Sequence, residues 1–460
     1  MVADWNSLPV ELKLAVFDVL CPPERCHSII PRHEDDSLLH HLSAYAAVSR
    51  SWQGIFEPKT FYGLIWLRIE LSPYDCDQCS SAETDEEAKT NDKIFTTSMW
   101  NLFSILTEWG PLSKVSTSKL GLSLLLSAYS PSDREHHFRD HRFDDDGKTQ
   151  RVFGKPLNFD FRYIGAASVP SLPKVNFVTG LIIPRQFYRP IPRMDIIFRS
   201  LPKLETFRYE LWYPPTLDRG FNHELDLFTI LDALPQTVTR LSGYKDSNDV
   251  FHTGHASSIS EEPASTMFYI SQRLKELDIS FIIDAKSFFA PIHDGGEDVS
   301  WDNLEGLTLT SQSLCLTASP VEIDELLHSA AQAALRMPKL QMMELWSSER
   351  GGARIFRYTR FRDNSLVQWW DTSLFKPAAL RPTVKKSWQM VANKYVRGHL
   401  DFETHNIPSE SIKCRASALP YLMRRDKTLT SASLQQIMWE TTELRRVRRH
   451  PPPNMTTLPN

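Results

Sequence analysis

Leu274-Lys275-Glu276-Leu277-Asp278-Ile279-Ser280 and Leu304-Glu305-Gly306-Leu307-Thr308-Leu309-Thr310 are one phrase written twice. Apolar residues stand at the first, fourth and sixth positions, and the last two of them alternate with polar ones. Alternation of that kind reads as a strand with one buried face. Looser copies are Leu204-x-x-Phe207-x-Tyr209, Val238-x-x-Leu241 and Leu340-x-x-Met343-x-Leu345. The five starts, at 204, 238, 274, 304 and 340, are separated by 34, 36, 30 and 36 residues. A near-constant period marks a repeat array.

Proline introduces most of these phrases. Leu172-Pro173-Lys174-Val175, Leu201-Pro202-Lys203-Leu204, Leu234-Pro235-Gln236-Thr237-Val238 and Met337-Pro338-Lys339-Leu340 share the form. Proline ends a helix and turns the chain toward the next strand. Residues 225–234 and 321–337 carry helical periodicity between the phrases; in the second, Ile323, Leu326, Leu327, Ala330, Ala334 and Leu335 form the apolar stripe. The units resemble an irregular leucine-rich-repeat solenoid, which implies parallel strands inside and helices outside. The period exceeds the family's usual value of about 20–29 residues. No asparagine follows the strand at the family's position, so the side-chain ladder that satisfies the turn backbone is expected to be missing. The alternative is an ordinary α/β domain with similar strands.

Alternation also assigns a second face. If Leu277 and Ile279 point to the core, then Glu276, Asp278 and Ser280 point away, together with Arg208, Glu210, Gly306, Thr308, Thr310, Met342, Glu344 and Trp346. In a solenoid that side is the concave surface offered to partners. Glu276, Asp278, Thr308, Glu344 and Trp346 are therefore the candidate target-binding residues. Trp346 is either an exposed aromatic anchor or a side chain packed on a C-terminal cap. The acidic and hydroxyl groups suit a basic or polar protein segment. Nucleic acid would need clustered Lys and Arg.

The N-terminus has its own pattern. Pro9 suits a first helical position, and Leu8, Leu12, Val16 and Leu20 recur every fourth residue. Leu38, Leu42, Tyr45 and Val48 form a second stripe; Trp52 and Phe56 carry a third short helix that stops before Pro58. With Leu8-Pro9-x-Glu11-Leu12 and Val48-x-Arg50-x-Trp52, this stretch resembles the F-box. The resemblance implies docking of a Skp-type adaptor, and through it a cullin, by Leu8, Pro9, Glu11, Leu12, Val16, Val48, Trp52 and Phe56. One departure is the long, proline-containing connection from Cys21 to Ser37. The layout as a whole is similar to the F-box-like proteins of filamentous fungi.

The remaining elements follow in order. Residues 64–69 and 120–124 read as strands and 94–109 as a helix, while the acidic stretch 80–93 and the charged stretch 140–150 read as surface loops. After Trp346, the run from Arg354 to Arg362 alternates basic and aromatic residues and reads as an edge strand with its arginines outside. Residues 383–396 read as a helix. The expected division is an F-box-like helical domain at 1–67, a leucine-rich-repeat-like body at 68–346, an α+β capping block at 347–443, and a disordered basic, proline-containing tail at 444–460. The fold class is α/β.

Composition excludes several functions. A net charge of -4 gives no general push toward nucleic acid or anionic membrane. No apolar run approaches the roughly 18 residues that a membrane helix needs. The N-terminus shows no signal peptide. Six cysteines scattered through a long chain suggest reduced thiols, in the cytoplasm and/or the nucleus. Cys76-x-x-Cys79 is half a zinc site without a second pair, and His136, His137 and His141 lack the glutamate of an H-E-x-x-H motif. There is no phosphate-binding G-x-x-x-x-G-K-[ST] and no G-x-S-x-G. The expectation is a protein without catalytic residues, metal or cofactor. Two readings stand: a substrate-receptor subunit of an SCF-type ubiquitin ligase, with an unknown target protein, or a non-ligase interaction scaffold.

Overall fold

The computed structural model describes residues 63–75, 83–109, 121–134, 155–164, 171–185, 189, 191–212, 223–246, 262–292, 299–372, 380–396, 398–435 and 437–438. Two units separate: residues 1–65 with 119–122, and residues 66–118 with 123–460. The first lies almost wholly outside the described residues. The residues from Leu8 to Phe56 expected to dock an adaptor, Cys76 and Cys79, the three histidines at 136–141, the 140–150 stretch and the tail from 444 lie outside them too.

The second unit is built on a mixed α/β architecture. Among the described residues, eleven strands form one sheet in chain order. They are β1 (Leu64–Glu70), β2 (Leu122–Tyr129), β3 (Val178–Ile183), β4 (Thr206–Trp212), β5 (Arg240–Asp246), β6 (Glu276–Ser280), β7 (Gly306–Thr310), β8 (Met342–Glu349), β9 (Gly352–Arg360), β10 (Ser365–Asp371) and β11 (Leu400–Asn406). From β3 to β8 each strand pairs in parallel with the next. β9 is antiparallel to both of its neighbours, and β11 returns parallel to β10. The strands from β4 to β8 begin at 206, 240, 276, 306 and 342, two residues after the start of each leucine phrase.

Helices occupy the connections: α1 (Asp85–Trp109), α2 (Met194–Ser200), α3 (His223–Asp232), α4 (Glu262–Ser271), α5 (Ala285–Phe289), α6 (Pro320–Ala334), α7 (Pro382–Tyr395) and α8 (Arg425–Thr428). Parallel strands in sequence order, joined by crossovers of one hand, put their helices on one side of the sheet. The register lines up Leu241, Leu277, Leu307 and Met343 on that side, all at most 3% exposed. At its end Trp388 of α7 lies 4.8 Å from Phe356 and 4.9 Å from Tyr358, ring to ring. Helix α6 starts at a capping box, with Ser319 and Glu322 exchanging hydrogen bonds and Pro320 in its first turn.

The first residue of each leucine phrase closes a tight turn. The N–H groups of Leu204, Val238, Leu274, Leu304 and Leu340 donate to carbonyls three residues back. The next turn residue then donates to the neighbouring repeat: Thr239 to Glu205, Lys275 to Thr239, Glu305 to Lys275 and Gln341 to Glu305, at 2.7–2.9 Å. These backbone rungs satisfy the turns without asparagine side chains, meeting the requirement that buried main-chain groups find partners.

Three expectations are corrected. Residues 85–93 are not loop but the first turns of α1. Thr84 and Glu87 cap it reciprocally, and Asp85, Glu86 and Glu87 complement the helix dipole. The basic-aromatic run is not an edge strand: β9 is paired along both sides, after a turn at Gly351, whose φ of 91° favours glycine. The block after Trp346 does not simply close the end of the array. β9 to β11 extend the sheet, and residues 407–437, here called the strap, run back across the face opposite the helices. Ile407, Ile412, Ala416, Leu419, Leu422 and Leu429 of the strap pack with Tyr244, Phe281, Trp346 and Ile355 of that face.

Candidate interaction face

The face predicted by alternation exists as a continuous polar row. Register places Arg208, Ser242, Asp278, Thr308, Glu344, Arg357, Gln368 and Glu403 side by side on eight consecutive strands. The next row on the same face holds Glu210, Tyr244, Ser280, and then Thr310 beside Trp346 and Ile355. All five candidate target-binding residues thus share one face. Their exposure differs from expectation. Glu344, Thr308 and Trp346 are 0% exposed and Asp278 1%. Trp346 is not an exposed anchor: its ring meets Phe281 at 5.0 Å under the strap.

Four carboxylates from three strands hold the strap; one of them, Glu276 of β6, lies 3.4 Å from the Lys427 ammonium. Asp278 of β6 receives Arg424 through two hydrogen bonds, at 2.8 and 2.7 Å. Glu344 of β8 accepts the backbone N–H groups of Met423 and Arg424, both at 3.0 Å, and pairs with Arg357 at 2.7 Å. Glu210 of β4 accepts from the Thr430 N–H at 2.6 Å and from the hydroxyls of Thr430 and Ser433. Forked arginine–carboxylate pairing is among the strongest side-chain recognition geometries. Burial disfavours the charged form of Arg424, but Asp278, with Glu276 and Glu344, outweighs it and moves the guanidinium pKa up. Gly306 makes this approach possible, because a Cβ there would run into the Arg424 guanidinium. Sequence reasoning missed these strap residues. Arg424 and Thr430 lie outside any helical or strand period, and their partners are 146 and 220 residues away.

The fit is incomplete. Ser280 Oγ, Thr308 Oγ1 and Trp346 Nε1 are buried on the same face without a hydrogen-bond partner among the described residues. Leaving such groups unpaired costs about 1–3 kcal/mol each.

On the helix side, a hollow of about 500 Å³ is lined by Lys286, Asp324, Glu325, His328 and Thr383. Its acids are engaged, Asp324 with Arg381 at 3.0 Å and Glu325 with Lys286 at 3.3 Å. Ser387 Oγ sits 3.2 Å from both ring nitrogens of His328. At equal distance from both, the hydroxyl is aimed along neither nitrogen's in-plane lone pair, the alignment that general-base catalysis requires. Among the described residues no group of three potential metal ligands comes together. No helix of the described residues is long and apolar enough to cross a membrane.

Residues 233–430 match a protein family described as a family of unknown function (DUF6546). The matched stretch runs from the turn before β5 into the strap, so it includes the polar face from β5 to β11 and the strap as far as Thr430, but not Arg208 and Glu210 of β4. No curated protein and no solved structure matches the chain.

Proposed function

We propose that this chain is the substrate-receptor subunit of an SCF-type ubiquitin ligase. In this reading the N-terminal stretch is a three-helix F-box-like bundle that docks a Skp-type adaptor through Leu8, Pro9, Glu11, Leu12, Val16, Val48, Trp52 and Phe56. The body is an irregular leucine-rich-repeat-like solenoid with an α+β C-terminal block, and it holds a target protein. The chain itself is not an enzyme. It raises the target's effective concentration beside a charged ubiquitin carrier supplied by the complex. The reading places it in the cytoplasm and/or the nucleus. Its support is the pairing of the Leu8-Pro9-x-Glu11-Leu12 and Val48-x-Arg50-x-Trp52 motifs with a body whose strands recur at 206, 240, 276, 306 and 342.

The test is recovery of adaptor and cullin with the full chain, by affinity purification and mass spectrometry. Replacing Leu8 and Pro9 together by Ala removes apolar anchors worth about 2 kcal/mol or more each. Adaptor recovery should fall to background while the body's circular dichroism and melting stay unchanged. Equal recovery from both forms would remove the F-box reading.

The second reading is a non-ligase scaffold. It is favoured by the strap, which already covers the face a target would use. It predicts no adaptor in either purification.

A further inference from the structure

The strap has two halves held in different ways. Residues 407–422 are anchored by apolar side chains: Ile407, Ile412, Ala416, Ala418, Leu419 and Leu422 are all at most 3% exposed. Residues 423–433, here the latch, bury one large apolar side chain, Leu429, and are otherwise held by polar groups of the face: Asp278, Glu344 and Glu210, with Glu276 beside Lys427 at 3.4 Å and Arg208 donating to the Asp426 carbonyl. Met423 is 60% exposed, and Arg425, Asp426 and Lys427 are exposed. Segments with few buried apolar contacts open at lower free energy than the core.

We propose that the latch is an intramolecular ligand, and that the track beneath it accepts a basic protein segment of the same chemistry. With the latch lifted, the face presents the carboxylates Glu210, Glu276, Asp278, Glu344 and Glu403 against the arginines Arg208, Arg240 and Arg357. Arg357 stays committed to Glu344. The track selects an arginine for Asp278, free backbone N–H groups beside it for Glu344, and a hydroxyl residue six positions further on for Glu210, as Arg424 and Thr430 supply now. Ser280, Thr308 and Trp346 supply hydrogen-bonding capacity that the latch leaves unused. A competing segment that reaches those groups gains over the latch, which offsets part of the latch's advantage of being tethered. This deepens the receptor reading of the body by naming the target chemistry. It is independent of adaptor docking, which residues 8–56 would carry.

Native-state hydrogen exchange on the full wild-type chain decides whether the latch opens on its own. The amides of Met423, Arg424 and Thr430 should exchange at least about tenfold faster than those of Leu277, Leu307 and Leu345. Exchange at the same rate, through global unfolding only, overturns the proposal. The second arm adds a labelled peptide of residues 420–435 in trans to the full chain and to Arg424→Ala, read by fluorescence anisotropy. The variant should bind at least about tenfold more tightly than wild type, and Asp278→Asn added to it should abolish binding. A folded Arg424→Ala chain that ignores the peptide overturns the proposal. If that variant fails to fold, the exchange measurement on wild type stands as the test. Adaptor recovery with each variant should match wild type, which keeps failure here distinct from failure of the F-box reading.

Discussion

The two faces of one sheet make the useful comparison. The central row of the helix-covered face is apolar, with Leu241, Leu277, Leu307 and Met343 in register. The strap-covered face is buried as deeply, yet its central row reads Ser242, Asp278, Thr308, Glu344, Arg357. Non-directional apolar contact suffices where helices arrive by short local crossovers. Where a segment arrives from far along the chain, directional pairs fix its register. Burial alone does not distinguish the two layers; what each layer demands of its neighbours does.

Substitutions on each face should separate them. The largest effect is expected from Glu344→Gln. It leaves Arg357 charged and buried, and breaking a buried pair on one side typically costs about 3–5 kcal/mol. Urea unfolding of the full chain measures it. A loss below about 1 kcal/mol would mean that the polar row contributes little to the fold. Next is Leu307→Ala on the opposite face, expected to cost about 2–5 kcal/mol as a cavity among Leu277, Met343 and the helices. If Leu307→Ala proved neutral, the helix side would not be the main core. A smaller change follows Ser319→Ala, which removes the α6 cap and should cost about 1 kcal/mol without altering strap exchange.

The smallest effect is one of pH. Hydrogen bonds from the Ser319 N–H and hydroxyl hold the Glu322 carboxylate below its usual pKa. A depressed folded-state pKa means that the stabilisation is complete above the unfolded glutamate value and is lost as pH falls through the folded one. Wild type should therefore lose part of its advantage over Ser319→Ala under acid conditions, the part in which the Ser319 hydroxyl donates to the Glu322 carboxylate. A constant difference from neutral pH down would show that the cap acts without the carboxylate.

Much of this was legible in residues. L-x-x-L-x-L fixes strand, period and face together, because apolar spacing of two and a repeat of 30–36 residues leave few other arrangements. The side chains opposite Leu277 and Ile279 were assignable by alternation alone. What covers them was not. Residues 407–437 carry no sustained period, and Arg424 looks like any surface arginine until Asp278 is seen beneath it. Composition misled at 85–93, where acidic residues suggested a loop; Thr84-x-x-Glu87 was the capping signal present all along. It misled again at Arg357, because an arginine between aromatics reads as solvent-facing when its partner lies on another strand.

The long reach of the strap has a consequence during synthesis. Asp278 meets Arg424 across 146 residues, and Glu210 meets Thr430 across 220. At the usual pace of translation the parallel strands stand uncovered for on the order of ten seconds or more before their lid exists. A bare apolar face of that size would invite association with other nascent chains. The carboxylates that later grip the strap carry charge through that interval, so the same row that fixes the finished fold keeps the unfinished one in solution.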